Sequence, residues 1–404
     1  MLKRKAKIFT LFVGFVIAVL FVATWLCSPM DGDFFTGQRN WKTCVKYDLI
    51  KSTDRKYKLV DMPQHFSDFD QVYNVSSKTK TNTIYKILWY SKPAWFNEKL
   101  EECDKNMQRC EHANCIIINN RSLLMESNAL IFDVNGPNFP RNPPLTPLER
   151  DESQVWIFFG LESPKHYWYR QFRSEEWNSA FNWTMTYRLD SDVPHPYGVL
   201  LTNQDPSYRE YHSIFRAKKK FAVWLVSRCL SASRRDDFVR LLQKYVPVDI
   251  YGACGKGCSS EAGECTDFIG KEYKFYLSFE NSLCKDYVTE KFFKYFPLDF
   301  ITVHRGYSDY DSMLPNNTYI NTAKFSTVQE LAYFMKRLAD NEDEYILYLK
   351  AKDGYVSHGQ SWAYCNALCD ICKKLNNLER FKRSYNDIAS WLEIGICVNA
   401  SDIR

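Results

Sequence analysis

Seven runs of strand length, each nearly continuous in apolar residues, constrain this chain more than any other feature. Ile84–Tyr90 (IYKILWY), Ala129–Val134 (ALIFDV) and Gln154–Gly160 (QVWIFFG) form a first series. Lys220–Val226 (KFAVWLV), Val248–Tyr251, Phe275–Phe279 and Phe300–Val303 form a second. Strands without an alternating polar face are covered on both sides, as in parallel sheets. The connections agree: Arg234–Tyr245 has helical spacing at Phe238, Leu241, Leu242 and Tyr245, and helices are also expected over Tyr287–Phe296, Val328–Asp340 and Glu342–Lys350. Pro137–Pro147 reads as a loop and Thr202–Phe215 as a linker. Repeated strand, connection, strand grammar on either side of a linker predicts an α/β fold of two Rossmann-like domains facing across a cleft. The missing Gly-x-Gly-x-x-Gly fingerprint argues against a nicotinamide or flavin enzyme.

The N-terminus sets the compartment. Lys3, Arg4, Lys5 and Lys7 precede Ile8–Cys27, twenty residues without a charge, which is the length of a membrane-spanning helix. Positive charge on the leading flank predicts a type II signal anchor: tail 1–7 cytoplasmic, span 8–27, stem 28–83, the remainder lumenal or extracellular. A cleaved signal peptide is the rival, disfavoured by the length of the apolar stretch and by the exit Trp25–Pro29, which lacks a small-x-small site. Sequons at Asn74, Asn120, Asn182, Asn316 and Asn399 are consistent with that side of a membrane. So are the cysteines, 13 of the 14 following the span, in clusters 103/110/115, 254/258/265 and 365/369/372 that read as disulfides before zinc. A net charge of +5 over 53 basic and 48 acidic residues gives no clear basic face, so nucleic acid is not an expected partner.

One stretch, FYLSFENSLCKDYVTEKFF (275–293), begins as a strand and ends as a helix, with Glu280, Asn281, Lys285, Asp286, Glu290 and Lys291 between. In parallel α/β sheets ligands bind beyond the carboxyl ends of strands, so polar residues here belong to a site. Asp286 is placed to cap the helix, whose N-terminus favours a phosphate, and Lys291 adds a fixed positive charge. Glu290 is placed to accept from ribose hydroxyls. An ordinary capped amphipathic helix with surface charges is the bland alternative.

The segments 275–282 and 286–291 together resemble the α1,3-fucosyltransferases, glycosyltransferase family ten. Leu161-Glu162-Ser163-Pro164, Phe181–Arg188 with Asp190-Ser191-Asp192 and Pro196-Tyr197-Gly198, Val223–Ser227 and Val248–Gly252 are similar to the same family in the same order, so that the likeness runs from about Ile84 to Leu392. The resemblance implies a GT-B architecture: an acceptor-side domain (84–205), a GDP-fucose-binding domain (206–365) and a C-terminal segment (366–404) packing back on the first. It implies inverting transfer of L-fucose from GDP-fucose to O3 of N-acetylglucosamine in a glycan, by a Golgi membrane protein that requires no cofactor. Arg235, Asn281, Tyr287, Glu290 and Lys291 match positions around the nucleotide. Glu162, at a turn after a first-domain strand, is the expected general base. Cys369 and Cys372 are expected, from the resemblance, to staple the C-terminal segment to Cys110 or Cys103 and to Cys115.

Asp190-Ser191-Asp192 imitates an Asp-x-Asp metal site, but the resemblance gives the cationic role to Lys and Arg, and no metal is expected. The chain departs from the family pattern at Arg228-Cys229, at Thr302–Tyr307 and at Phe132–Gly136, the last leaving open whether the acceptor is the N-glycan core or an antenna. A catalytically inactive relative that binds GDP-sugar or glycan is the alternative reading.

Overall fold

The computed structural model describes residues 83–257 and 265–404. The expected span at 8–27, the sequon at Asn74 and nearly all of the stem lie outside these residues. Among the described residues no helix is long and apolar enough to cross a membrane.

The apolar runs pair as two parallel sheets. In the first, β1 (Tyr85–Ser91), β2 (Cys115–Ile118), β3 (Ala129–Asp133), β4 (Val155–Gly160) and β5 (Trp183–Thr186) lie in the order β2-β1-β3-β4-β5. Ile87, Ile131, Ile157 and Met185 bury on one face, and Leu88, Leu130, Phe132 and Phe158 on the other, which is why the sequence shows no polar alternation. Next, β6 (Gly198–Thr202) leads out of this sheet toward the second. That sheet contains β7 (Lys220–Leu225), β8 (Val248–Tyr251) and β9 (Tyr273–Phe279); the short β10 (Leu283–Cys284) lies apart, and β11 (Ile301–Arg305) and β12 (Tyr319–Asn321) complete the sheet in the order β12-β11-β9-β7-β8. The return segment β13 (Tyr355–Gly359) runs antiparallel to β6, and β14 (Cys397–Val398) antiparallel to β10. Counted within each sheet, both strand orders are second, first, third, fourth, fifth. The winding therefore reverses between β1 and β3 and again between β7 and β9, and ligands of such sheets bind beyond the carboxyl ends at those reversals.

Helices cover the sheets. The ones used below are α1 (Glu98–Lys105), α2 (Arg235–Leu242), α3 (Glu290–Phe293), α4 (Val328–Asp340), α5 (Glu342–Asp353), α6 (Gln360–Leu375) and α7 (Ile388–Glu393). α4 has the expected bounds and α5 runs three residues further. α2 stops at Leu242, short of the expected Tyr245, because Val246 turns inward ahead of β8. The helix expected over Tyr287–Phe296 is a single turn. Asp286 takes a left-handed backbone (φ 59) and Tyr287 and Val288, both buried, precede Thr289, which caps the turn in place of the expected Asp286. Asp286 accepts instead from the Leu189 amide at 3.2 Å.

The first sheet takes part of each outer layer from the end of the chain. Tyr364, Leu368 and Ile371 of α6 pack on one face and Tyr385, Ile388 and Leu392 on the other. On α6 the cysteines fall at intervals of four and three, hence on one side. They form Cys103–Cys365, Cys110–Cys369 and Cys115–Cys372. The last residues return to the second sheet, where Cys397 bonds Cys284 and Asp402 pairs with the buried Arg305 at 2.7 Å. Of the sequons, Asn120, Asn316 and Asn399 are exposed. Asn182 is not an open acceptor: its carboxamide oxygen takes bonds from the Trp156 amide and Arg150, and its nitrogen donates to the Arg383 carbonyl at 3.0 Å.

Candidate active site

The turn Glu280-Asn281-Ser282 leaves β9 at the winding reversal of the second sheet. Glu280 is fully buried, and its carboxylate accepts from the Thr289 amide at 2.8 Å and from the Thr289 hydroxyl at 2.9 and 3.0 Å. Lys291 Nζ lies 3.5 Å from the same carboxylate, donates to the Thr289 hydroxyl at 2.8 Å and meets Glu290 at 3.0 Å. Burial pushes the Glu280 carboxyl above its ordinary pKa against the pull of Lys291. For Lys291 burial works the other way, but Glu280 and Glu290 outweigh it and the ammonium is held above its ordinary value. Glu280 thus acts as the brace that fixes a charged lysine at the cleft. Glu290 stands half exposed at the rim. Since α3 has only one turn, its dipole is small, and an anion here depends on side chains more than the sequence suggested.

Arg235 opens α2 and is 3% exposed. Its guanidinium donates to the Phe279 carbonyl at 2.7 Å and the Arg228 carbonyl at 3.1 Å, while its Nε has no partner. Burial lowers its pKa. The Ser231–Arg234 loop wraps the turn: the Ser233 amide donates to the Asn281 carbonyl at 3.0 Å and the Ser233 hydroxyl to the Glu280 carbonyl at 2.6 Å. Asn281 is buried, with its Oδ1 unpartnered. Arg228, where the chain departs from the family pattern, is exposed beside the Cys229–Cys254 bond, its guanidinium 5.7 Å from the centre of the Trp168 ring.

Residues beyond β4 in the first sheet form the opposite wall. The Tyr287 hydroxyl donates to Glu162 Oε2 at 3.1 Å, and the Ser163 hydroxyl to that of Ser282 at 2.8 Å, both buried. Tyr197 donates to the Leu161 carbonyl at 2.8 Å and packs edge-on to Tyr287. Glu162, Tyr287, Asn281, Arg235 and Lys291 therefore lie together where the two sheets meet, with Glu290 at the edge. Two features were missed in the sequence: the bracing role of Glu280, and His166, which is buried beside Arg228, Arg235 and Lys291. Its position four residues after Glu162 was the only signal.

A half-buried carboxylate on one wall and one buried and one partly buried cation on the other can accept a proton from a hydroxyl while stabilising a departing anion. The carboxylates of Asp190 and Asp192 serve other ends. Asp190 takes two bonds from Arg188, and Asp192 binds Thr184, Tyr385 and Arg383.

Comparison with known proteins agrees with the motifs. The model described as "Fucosyltransferase, N-terminal" matches residues 80–198, and "Glycosyltransferase family 10 (fucosyltransferase) C-term" matches residues 215–391. Alpha-(1,3)-fucosyltransferase C of Drosophila melanogaster is 33% identical over 306 residues, covering 70% of each chain. Glycoprotein 3-alpha-L-fucosyltransferase A of the same organism is 34% identical over 315 residues, 72% of this chain and 57% of that one. Among solved structures, an α1,3-fucosyltransferase with GDP-fucose is similar at 16% identity and a TM-score of 0.49, covering 76% of this chain and 96% of that one. The chain belongs to glycosyltransferase family 10, the fucosyltransferases.

Proposed function

We propose that the protein transfers L-fucose from GDP-fucose, with inversion, to O3 of N-acetylglucosamine in glycoprotein glycans. The observation that carries this reading is the juxtaposition across one cleft of Glu162 with the Tyr287, Arg235 and Lys291 cluster, in a chain whose relatives are named as α1,3-fucosyltransferases. In the proposed step Glu162 takes the proton of the acceptor hydroxyl as its oxygen attacks C1 of fucose. The C1–O bond to the diphosphate breaks and GDP departs with the electron pair. Negative charge grows on the diphosphate, where Lys291 and Arg235 are already fixed and need no reorganisation. A single displacement on opposite faces of the sugar inverts its configuration. Cations supplied by the protein fill the role that a metal fills elsewhere, so no cofactor is required. A type II anchor at 8–27 with the catalytic domain in the Golgi lumen completes the proposal.

Incubating the purified protein with GDP-fucose and a panel of N-glycans tests it. Fucose on O3 of N-acetylglucosamine supports the reading and identifies core or antenna as the acceptor. GDP binding without transfer to any glycan replaces it with the inactive, sugar-nucleotide-binding alternative.

A further inference from the structure

His166 ends the 3-10 turn Pro164–His166 that follows Glu162. The turn is fixed against the opposite wall: the His166 amide donates to the Ser163 carbonyl at 2.8 Å, and the Ser163 side chain donates to Ser282. The imidazole is 8% exposed and hydrogen-bonds with the Asn281 backbone, while its Nε2 has no partner. Around it stand Arg228 from the loop after β7, Arg235 from α2 and Lys291 from α3. Glu280, the buried carboxylate nearest Lys291, already receives Thr289 and that lysine. Two further atoms in the same place are buried without partners, Arg235 Nε and Asn281 Oδ1. A buried ring nitrogen without a protein partner among three cations costs free energy unless a ligand completes the site.

We propose that His166 is a further diphosphate-binding residue, which takes up a proton from solvent as the nucleotide enters and then donates from Nε2 to a phosphate oxygen. The inference rests on the donor pocket of the fucosyl-transfer reading and extends it. Without nucleotide, burial, followed by the three cations, holds the His166 pKa down to about 4, so the ring is neutral at ordinary pH. An arriving diphosphate brings opposite charge that outweighs the cations and favours the imidazolium. The pKa is then higher with nucleotide than without. GDP binding draws in a proton between the two values and weakens as pH rises through the upper one.

Calorimetric titration of the full-length protein with GDP at about pH 6, in buffers of differing ionisation enthalpy, counts that proton. The wild type is expected to take up roughly half to one proton more per GDP than His166→Gln, the phosphate's own titration cancelling between them. A purely structural histidine weakens binding equally at every pH and leaves the count unchanged, and equal counts overturn the proposal. Should the variant not fold, ¹³C-histidine NMR of the wild type replaces it. One imidazole moving from neutral to protonated on adding GDP supports the assignment, and none moving removes it. If the wild type binds no GDP, the donor pocket itself falls. If GDP binds with equal counts, only the role of His166 falls.

Discussion

Glu162 and the cations opposite it are set up to contribute separately, one to the reaction and the others to holding the nucleotide. Glu162→Gln keeps size and still bonds Tyr287, so kcat is expected to drop about a hundred- to ten-thousandfold with GDP affinity nearly intact. Lys291→Ala and Arg235→Ala remove charged donors and should each weaken GDP binding by about 1.5–3 kcal/mol, read by calorimetry. Asp133, buried at the end of β3, supplies a pH test. Burial raises its pKa from 3.8 to about 7 against one bond from the Asn135 amide. Between those values the folded chain keeps a proton that the unfolded chain has released, so stability falls as pH climbs through the window and levels off above it. Asp133→Asn is expected to flatten that fall, leaving the variant more stable at pH 8 by on the order of a few kcal/mol in urea unfolding. At this scale the sequence announced charge at the site but not its arrangement. Thr289 reaches Glu280 by folding the stretch back on itself, and the cations beside His166 come from other elements; no local pattern records either.

Elements were more legible, for a physical reason. A strand buried on both faces writes itself as a continuous apolar run, and β4, β7 and β9 were visible within two residues. α3 was not, because Tyr287-Val288 reads like the start of an amphipathic helix when its neighbours across the cleft are unseen. The pairing of α6 with the loop after α1 and with β2 depends on distance in space, and the resemblance alone had indicated it, for Cys369 with Cys110 and Cys372 with Cys115. Its three disulfides close nearly the same long loop, so they are unequal in effect. With two in place, the third closes only a small ring, worth about 3 kcal/mol for roughly fifteen residues. Replacing Cys110 and Cys369 by Ala should therefore lower stability by about that much in chemical denaturation. Removing all three pairs should cost well over twice as much, because the large loop is then released too.

For the whole molecule, two sheets with the same winding bring their reversal edges toward a shared cleft, held by Ser163 to Ser282 and Glu162 to Tyr287. The chain end also belongs to the second sheet. Arg305 is completely buried, and Asp402 is its only carboxylate partner among the described residues. Asp402→Asn is expected to lower stability by about 1–2 kcal/mol in urea unfolding, reduced from the value for a fully buried pair because Asp402 is partly exposed.

Because α6 and α7 cover the first sheet, the protein cannot be assembled in the order in which it is synthesised. When residues 84–205 leave the ribosome, both outer layers of the sheet they form are incomplete, and Cys103, Cys110 and Cys115 have no correct partner for another 250 residues or so. The intervening domain, with its own parallel sheet, can fold first as an insertion inside an unfinished one. Until α6 arrives, apolar surface and three unpaired thiols stand open to wrong pairing, the circumstance in which chaperones and disulfide isomerisation act.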